Sequence, residues 1–556
     1  MPFLTLVLLG LWAIADGINA EAAALHGAIA TVHPIASDVA REIVRQGGNA
    51  VDAAVAAALT LGVVDTANSG LGGGCFLMIR RPNGKIIAID GRETAPAAAS
   101  RDMFVREGKP VPELSQTGAL AVGVPGALAA YDLAVRKYGN LPLRVHLQAA
   151  ADVADRGFSL SRAYADRLQS VAKELSADLG ASAVFLHTNG NALAVGEVLV
   201  QHDLAVSYRA VAEHGMDWFY RGPFASQLDH WMTQQGGLIR ERDLARYRVR
   251  LRDPVRSSYR GYEIVGFPPP SSGGVHVAQI LNLLERYDLR AMGRESAEFI
   301  HTVTEAMKLA FADRAYWLGD PDFTHVPRGL VDKPYASSLA SGIHSERASV
   351  VLSHGTPSDV AQHWFGKHTT HFSTADSEGN WVACTATINT TFGSKRVVPG
   401  TGIVLNNEMD DFSAAAGSSN AFGLVGGEAN AVAPRKRPLS SMSPTLVLKD
   451  GRPILSVGAA GGPTIISQTL LTILGVVDFG LPVDHALVAT RFHHQWRPDE
   501  LRVERRMNPQ VVLELERRGH HVVLENSIGA CQAVQDYRGS FRAAHDPRLE
   551  GKAIQW

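Results

Sequence analysis

The first apolar pattern along the chain has helical spacing. Residues 37–46 place their apolar side chains on one helical face, and Gly47-Gly48 follows, which predicts a helix that ends at the glycines. Asn49 is a favourable N-cap for an alanine-rich segment that ends near Gly62. Two consecutive helices should therefore open the folded part of the chain.

A β-hairpin is predicted directly after these helices. Residues 76–80 and 85–90 are rich in β-branched and apolar side chains, and Asn83-Gly84 lies between them. This dipeptide is typical of a type I′ turn, because both central residues of that turn need a positive φ. We expect two antiparallel strands joined by such a turn.

The character of the pattern then changes along the chain. Helical spacing predominates from Val124 to about Leu339, interrupted by turn clusters such as residues 268–274, whereas short strand-like runs separated by Gly, Asn and Asp follow Lys367. The strands expected there are residues 372–375, 381–388, 402–406, 445–448 and 454–457. The apolar run 469–477 predicts a core helix, and the C-terminal third should be rich in sheet.

Length and composition narrow the class of protein. A chain of 556 residues can form two to four domains or one large layered sandwich. With 46% apolar and 19% charged residues it does not have the composition of a disordered chain. Its 53 basic and 55 acidic residues give a net charge of −2, so no positive field favours nucleic acid. We expect a globular protein without a nucleic-acid partner.

Residues 1–20 have the pattern of a secretory signal peptide. The apolar stretch 3–15 is shorter than the roughly 20 residues that span a bilayer, and the small Ala20 suits a cleavage site. The positive residue that normally precedes such a stretch is missing, and a buried N-terminal helix is the alternative. We expect export to the periplasm or the medium, and no membrane anchor.

The cysteines and histidines do not form a pattern of metal ligands. The three cysteines are too few for a disulfide framework and lack the paired spacing of a zinc site; they are Cys75, Cys384 and Cys531. His493-His494 and His520-His521 are adjacent pairs, whose side chains should point to opposite faces of a strand. No metal site is predicted.

The glycine-rich segment 69–75 also has a plain structural interpretation. It lacks the third glycine of a dinucleotide fingerprint and the Lys-Ser or Lys-Thr pair of a phosphate loop. Glycines permit close packing of backbones, so we expect a tight turn before a strand. No organic cofactor is predicted.

A hairpin rich in hydroxyl groups is the most informative part of the sequence. If residues 377–379 form a three-residue loop with Gly379 in the left-handed region, Thr369 faces Thr387, and Asn389 shares a face with Thr387. A two-residue loop would shift the pairing by one and turn Thr369 away. Ordinary threonine-rich strands look the same, so spacing alone leaves the catalytic and structural interpretations open.

This hairpin closely resembles the start of the small subunit of the γ-glutamyltranspeptidases, which are N-terminal nucleophile hydrolases. The resemblance extends over nearly the whole chain. Further segments that match the family in the same order are residues 47–54, 91–96, 268–274, 406–412 and 437–444, and Gly461-Gly462.

The resemblance implies an α+β fold, a four-layer αββα sandwich made of two subunits from one precursor. Self-cleavage between His368 and Thr369 is implied, which gives a large subunit 21–368 and a small subunit 369–556 that form a heterodimer. The new α-amine of Thr369 would serve as the base for its own hydroxyl. Family resemblance further assigns Thr387 to orienting this nucleophile and the N–H groups of Gly461 and Gly462 to the oxyanion.

The resemblance also implies how a γ-glutamyl group is held. Its carboxylate would be bound by Arg92, Ser440 and Ser441. Its ammonium would be bound by Asn389, Glu408 and Asp411. Without the family, Arg92 could equally be a surface salt bridge, the serine pair a helix cap, and Asp410-Asp411 a turn.

The expected activity is cleavage of γ-glutamyl amides such as glutathione, with transfer to water or to amino acid and peptide amines. Two departures from the common pattern make the entrance more apolar. Phe422 stands where some relatives have a tyrosine, and residues 458–462 carry alanines where serine and proline are usual. Bacterial members of this family are also known as cephalosporin acylases, so the resemblance, together with these departures, implies deacylation of glutaryl-7-aminocephalosporanic acid as well.

Two alternatives stay open from the sequence. One is a dedicated cephalosporin (glutaryl) acylase with residual γ-glutamyl activity, although retention of Asp411 favours recognition of the γ-glutamyl amine. The other is a non-catalytic secreted binding protein on the same fold.

Overall fold

The computed structural model describes residues 26–358, 370–415 and 417–556. Its strands are β1 Gly27–Thr31, β2 Gly74–Arg80, β3 Ile86–Gly91, β4 Val105–Arg106, β5 Lys109–Pro110, β6 Phe158–Ser159, β7 Val198–Leu199, β8 Arg250–Arg252, β9 Val255–Tyr259, β10 Tyr262–Gly266, β11 His371–Asp376, β12 Trp381–Thr387, β13 Thr445–Lys449, β14 Arg452–Ala460, β15 Phe492–His493, β16 Leu501–Glu504, β17 Val522–Glu525, β18 Ala530–Tyr537, β19 Ser540–Ala544 and β20 Lys552–Gln555.

Helices fill most of the intervening chain. They are α1 Pro34–Arg45, α2 Ala50–Val64, α3 Pro112–Gln116, α4 Ala127–Tyr138, α5 Leu143–Arg156, α6 Arg162–Ser170, α7 Ala172–Ser176, α8 Leu179–Phe185, α9 His202–His214, α10 Met216–Tyr220, α11 Pro223–Gln234, α12 Glu241–Arg246, α13 Gly273–Leu284, α14 Leu289–Met292, α15 Ala297–Trp317, α16 Lys333–Ala340, α17 Thr464–Val477, α18 Val483–Val488 and α19 Pro509–Arg517. Short 3₁₀ turns lie at Ala119–Ala121, Arg328–Val331, Glu408–Asp411 and Glu428–Asn430.

Two antiparallel sheets form the centre of the molecule. The first sheet has the order β20-β1-β11-β12-β2-β3-β8 and the second the order β19-β18-β14-β13-β10-β9. Side chains such as Phe76, Trp381, Phe267 and Leu446 fill the space between them. Both sheets contain strands from before and after position 368, so cleavage there would leave two chains held together by shared sheets.

Each sheet has helices on its outer face, which completes an α+β sandwich of four layers. Helices α1, α2 and α4 cover the first sheet, and α13, α17 and α18 cover the second. Two large apolar clusters, one on each outer face, bury the helices against the strands. The predicted αββα architecture is therefore the observed one.

Several local predictions are confirmed in detail. Helix α1 is followed by Gly47 with a φ of 96°. Asn49 caps α2 through its side chain, and Asp52 completes a capping box. The apolar run 469–477 belongs to α17.

The predicted type I′ turn between β2 and β3 is wrong. Gly84 has a positive φ of 82°, whereas Asn83 has none. Pro82 fixes its own φ near −65°, which favours a type I turn over residues 81–84 followed by a left-handed glycine. Accordingly, Gly84 N donates to Arg81 O at 2.9 Å.

The predicted strand 402–406 is also wrong. This segment forms single bridges only, from Leu405 to Gly72 and from Val404 to Val397. Gly400 and Gly402 adopt left-handed conformations, with φ of 72° and 64°, and these bends interrupt an extended run.

The glycine-rich segment makes the close backbone approaches that were expected. A Cβ on Gly73 would collide with the carbonyl of Thr387, and one on Gly74 would collide with the carboxylate of Glu93. These glycines therefore bring β2 against two residues of the candidate site.

The predicted signal peptide 1–20 lies outside the described residues. Among the helices of the described ranges, none has both the length and the apolar character needed to cross a bilayer.

Candidate active site

The hydroxyl-rich hairpin has the register that a three-residue loop predicts. His371 pairs with Thr385 and Ala375 with Trp381, and Gly379 has a φ of 93°. Ala386 N donates to Thr370 O at 2.5 Å, which extends the pairing beyond β11. Thr369, the next residue, and His368 lie outside the described residues.

Thr387 ends β12 at the centre of the first sheet and is buried. Its Oγ1 accepts a hydrogen bond of 2.6 Å from Asn389 N. Asn389 has a φ of 77° and donates through Nδ2 to Asn407 O at 3.0 Å. The end of the hairpin is therefore tied directly to the segment that carries Glu408.

Arg92 lies in a buried cluster of carboxylates at the end of β3. Its Nη1 donates to Glu408 Oε1 and lies 3.4 Å from Glu93 Oε2, and its Nη2 donates to Asp411 Oδ2 at 2.8 Å. All four side chains are almost completely buried. Arg92 is therefore not a surface salt bridge, and its fork already contacts the residues predicted to bind an ammonium group.

Burial and the neighbouring charges shift the pKa values of the side chains in this cluster. Burial raises the pKa of Glu408 well above its usual value and that of Glu93 to about 7, although Arg92 opposes both shifts. Burial alone would lower the pKa of Arg92, but Glu408, Glu93 and Asp411 raise it above its usual value. Among the described residues, Glu408 Oε2, Glu93 Oε1 and Arg92 Nε have no hydrogen-bond partner. The cluster therefore offers two unused carboxylate oxygens and one unused donor.

Ser440 and Ser441 lie in an extended loop before β13, so they are not a helix cap. Backbone hydrogen bonds join this loop to the proline-rich turn, from Ser272 N to Ser440 O at 2.9 Å and from Ser440 N to Pro270 O at 3.2 Å. Both serines are buried. Ser441 Oγ accepts a hydrogen bond of 3.3 Å from Arg314 Nη2.

Arg314 is a residue of this site that the sequence interpretation missed. It lies on the long helix α15 and its guanidinium is buried beside the serine loop. A charged Asp313-Arg314 pair inside an otherwise apolar helical stretch was the available signal.

Gly461 and Gly462 join β14 to α17 with φ of 130° and 58°. Among the described residues, no acceptor is hydrogen-bonded to either of their N–H groups. Gln468 fixes this turn, because its Nε2 donates to Ala460 O and to Thr464 Oγ1, both at 3.0 Å. The two N–H groups therefore lie at a rigid helix N-terminus, which favours negative charge.

The segment after Asp411 connects the carboxylate cluster to this glycine turn. Asn420 Nδ2 donates to Asp411 Oδ1 at 3.1 Å, and Ala421 N donates to Asp410 Oδ2 at 2.9 Å. Phe422 then packs against Gly462, where an added Cβ would lie 2.7 Å from the ring. Asp410-Asp411 is therefore a 3₁₀ turn whose carboxylates hold a covering loop, with Phe422 at its tip.

One group of described residues has metal-binding atoms close together, namely His301, Glu305 and His520, within 4.8 Å of one another. His301 Nδ1 and His520 Nε2 are already hydrogen-bonded at 2.7 Å. Lys308 Nζ lies 2.9 Å from Glu305 Oε1 and supplies the positive charge that this carboxylate needs. The three side chains are therefore already engaged in a hydrogen bond and an ion pair within a buried polar network.

Comparison with known proteins gives consistent matches. The family model described as Gamma-glutamyltranspeptidase matches residues 36–556. The "Glutathione hydrolase proenzyme" of Escherichia coli (strain K12) is 45% identical over 528 residues, covering 94% of this chain and 91% of that protein.

Acylases are similar too. The "Acylase ACY 1 proenzyme" of Pseudomonas sp. (strain SE83) is 38% identical over 508 residues, which cover 89% of this chain and 87% of the relative. The crystal structure of a cephalosporin acylase from Bacillus halodurans superposes with a TM-score of 0.86 and 28% identity, covering 96% of each chain.

Proposed function

The chain belongs to the gamma-glutamyltranspeptidase family of enzymes, and from this premise we propose that it is a self-cleaving amidohydrolase and acyltransferase that acts on γ-glutamyl amides such as glutathione. Members of the family are processed proenzymes that act on small-molecule amides. The observation that carries the proposal is the hairpin register, in which Ala386 N donates to Thr370 O beyond the pair His371–Thr385. We infer that the same register, continued by one residue, sets Thr369 opposite Thr387.

In the proposed maturation, Thr369 Oγ attacks the carbonyl carbon of His368. The C–N bond breaks, the Thr369 nitrogen takes the proton, and an ester joins the two residues. Water then hydrolyses the ester, which leaves a carboxylate on His368 and a free α-amine on Thr369. Thr387 orients the hydroxyl, and the free amine then serves as its base.

In the proposed catalytic cycle, the Thr369 hydroxyl gives its proton to the α-amine while its oxygen attacks the γ-carbonyl. The N–H groups of Gly461 and Gly462 stabilise the oxyanion. The leaving amine takes the proton as the C–N bond breaks, and an acyl-enzyme remains. Water or an acceptor amine then attacks the ester and restores the hydroxyl. The proposed steps use only groups of the chain itself and include no metal or organic cofactor.

The substrate ammonium fits the acidic side of the site. Glu408 Oε2 has no donor among the described residues, and Asp411 supplies negative charge beside it. Asn389, which follows β12 and is hydrogen-bonded to Asn407 O, adds an amide oxygen. We place the carboxylate at Arg92, Ser440 and Ser441, with the unused Arg92 Nε as one donor.

A denaturing gel tests the proposal directly. Protein purified without added protease should give two bands, and sequencing of the smaller should begin Thr-Thr-His-Phe. Loss of residues 1–20 from the larger band would support export to the periplasm or medium. A single band together with absence of γ-glutamyl turnover would favour the rival, a binding protein on this fold.

Glutaryl amides form a second candidate substrate class. The observation that favours them is the apolar contact between the Phe422 ring and Gly462, which places no hydroxyl over the glycine turn. Such an entrance suits a bulky, less polar leaving group such as a β-lactam nucleus. A glutaryl group lacks the amine, so the acidic side of the site would have no ammonium to bind.

Asp411→Asn should raise the ratio of kcat/KM for glutaryl over γ-glutamyl p-nitroanilide by about tenfold, because it removes the charge that pairs with the ammonium (about 1.4 kcal/mol). Both donors share one leaving group, so only the acyl group differs. Asp410→Asn is the matched control, since Asp410 accepts from Ser115 and Ala421 and does not contact Arg92. An unchanged ratio in Asp411→Asn would show that Asp411 does not recognise the amine.

Arg92→Ala should raise KM for γ-glutamyl donors more than roughly tenfold and lower the free energy of unfolding by about 3–5 kcal/mol, because it leaves buried carboxylates without their cation. KM and chemical denaturation of the mature enzyme measure the two effects. Arg92→Lys retains the charge and loses the fork, so it should recover most of the stability and little of the affinity. Unchanged stability in Arg92→Ala would contradict the counter-charge role.

A further inference from the structure

Arg314 differs from the other buried arginines in its surroundings. Five arginines are buried in the described ranges, namely Arg92, Arg252, Arg314, Arg437 and Arg491. Four of them pair with a carboxylate: Glu408 and Asp411 for the first, Asp90 for Arg252 and for Arg437, and Asp546 for the last. Arg314 alone of the five forms no ion pair with a described residue.

The hydrogen bonds of Arg314 go to hydroxyl groups instead. Nε donates to Ser272 Oγ at 3.1 Å and Nη2 to Ser441 Oγ at 3.3 Å, whereas no described group accepts from Nη1. Burial lowers the pKa of this guanidinium to about 10, although the charge of Asp411 raises it. A buried cation without a paired anion is costly, so the site is electrostatically incomplete.

The positive charge of Arg92 is already balanced by Glu93, Glu408 and Asp411, so toward a substrate carboxylate Arg92 offers the hydrogen bond of its Nε but little net charge. A carboxylate that accepts from Ser441 Oγ at about 2.7 Å would lie within roughly 6 Å of Arg314. Because Arg314 donates to the Ser441 oxygen, the hydroxyl proton is directed toward another acceptor. Arg314 therefore contributes in two ways, through its positive charge and through the orientation that it gives the Ser441 hydroxyl.

We propose that Arg314 sets the specificity of this enzyme for acyl donors that carry an α-carboxylate. It supplies the positive charge that this anion needs and positions the Ser441 hydroxyl that binds it. The inference rests on the proposed function, since it assumes that γ-glutamyl donors occupy this site.

Three p-nitroanilide donors distinguish recognition of the substrate carboxylate from recognition of the substrate amine. The γ-glutamyl donor carries both amine and carboxylate, the glutaryl donor carries the carboxylate alone, and the 4-aminobutyryl donor carries the amine alone. Arg314→Gln should raise KM for the first two by about 10–100-fold, with little change in kcat. Its kcat/KM for the 4-aminobutyryl donor should change less than about threefold.

Arg314→Lys provides the second variant if the glutamine variant does not mature. It retains the charge but replaces the planar fork that reaches Ser272 and Ser441 with a single nitrogen, so a smaller rise in KM should again be confined to donors with a carboxylate. Ser272→Ala, which removes the other hydroxyl partner and leaves the charge, should preserve the carboxylate preference. Equal losses on all three donors in the mature arginine variants would assign Arg314 to structure and overturn the proposal.

Assays of the wild-type enzyme distinguish failure of this inference from failure of the proposed function. If the mature wild type does not cleave the γ-glutamyl donor, the proposed function and this inference both fail. If it does and Arg314→Gln keeps the wild-type preference for a carboxylate, only the inference about Arg314 fails.

Discussion

Thr369→Ala should leave one uncut chain and lower kcat for γ-glutamyl hydrolysis by about 10⁴-fold or more. The variant lacks the oxygen that forms the ester in maturation and the acyl-enzyme in turnover, and no neighbouring group can replace it. The fold should persist, because strands on both sides of position 368 are joined in both sheets before any cleavage. A gel, circular dichroism and a p-nitroanilide assay measure the three properties.

Two variants at adjacent positions give controls for this prediction. Thr369→Ser keeps a hydroxyl nucleophile and should still mature, although more slowly. Thr370→Ala keeps the backbone carbonyl that pairs with Ala386 and should mature and turn over within about tenfold of wild type. Activity of Thr369→Ala near the wild-type value would remove Thr369 from the mechanism, and failure of Thr370→Ala to mature would point to a general need for the hairpin.

The sequence was sufficient to predict the hairpin because its register depends on local geometry. Loop length and one left-handed glycine determine which residues pair, and Gly379 adopts that conformation. The helix caps were predictable for the same reason, since Asn49 and Asp52 act within one turn. The prediction of a type I′ turn was wrong because Pro82 directly precedes the Asn83-Gly84 dipeptide and imposes its own φ on the turn.

The charge arrangement of the site could not be predicted from such local rules. The resemblance indicated Arg92, Glu408 and Asp411 as separate binding groups, but their direct contact joins residues more than 300 positions apart. Arg314 reaches Ser441 from helix α15, 127 positions away. The partners in each ion pair depend on burial and on the whole fold. The spacing of residues along the sequence does not contain this information.

The covering loop that carries Phe422 could be predicted only in part from the sequence. Phe422 was identified as an apolar substitution at the entrance, and the structure places its ring on Gly462. The loop is held by Asp410 and Asp411, which sequence spacing treats as a simple turn. Asp411, which we propose to bind the substrate amine, is therefore hydrogen-bonded to the same loop that carries Phe422.

Gly462→Ala should lower kcat by about 100–1,000-fold, the usual cost of losing one oxyanion donor. An alanine there must adopt the φ of 58° and place its Cβ 2.7 Å from the Phe422 ring. The backbone has to move to relieve this contact, so the N–H is displaced from the oxyanion. KM should change less than kcat, because the donor acts mainly in the transition state.

The steric cause can be separated from backbone strain with two further variants. Gly480→Ala is a matched control, because Gly480 has a φ of 64° with no neighbouring atom within 4 Å of an added Cβ, so it tests the left-handed strain alone. Phe422→Ala combined with Gly462→Ala should recover at least about tenfold in kcat, since the crowding ring is gone. Wild-type kcat in Gly462→Ala would contradict the predicted displacement of this N–H from the oxyanion, and absence of recovery in the double variant would locate the loss in the strained backbone itself.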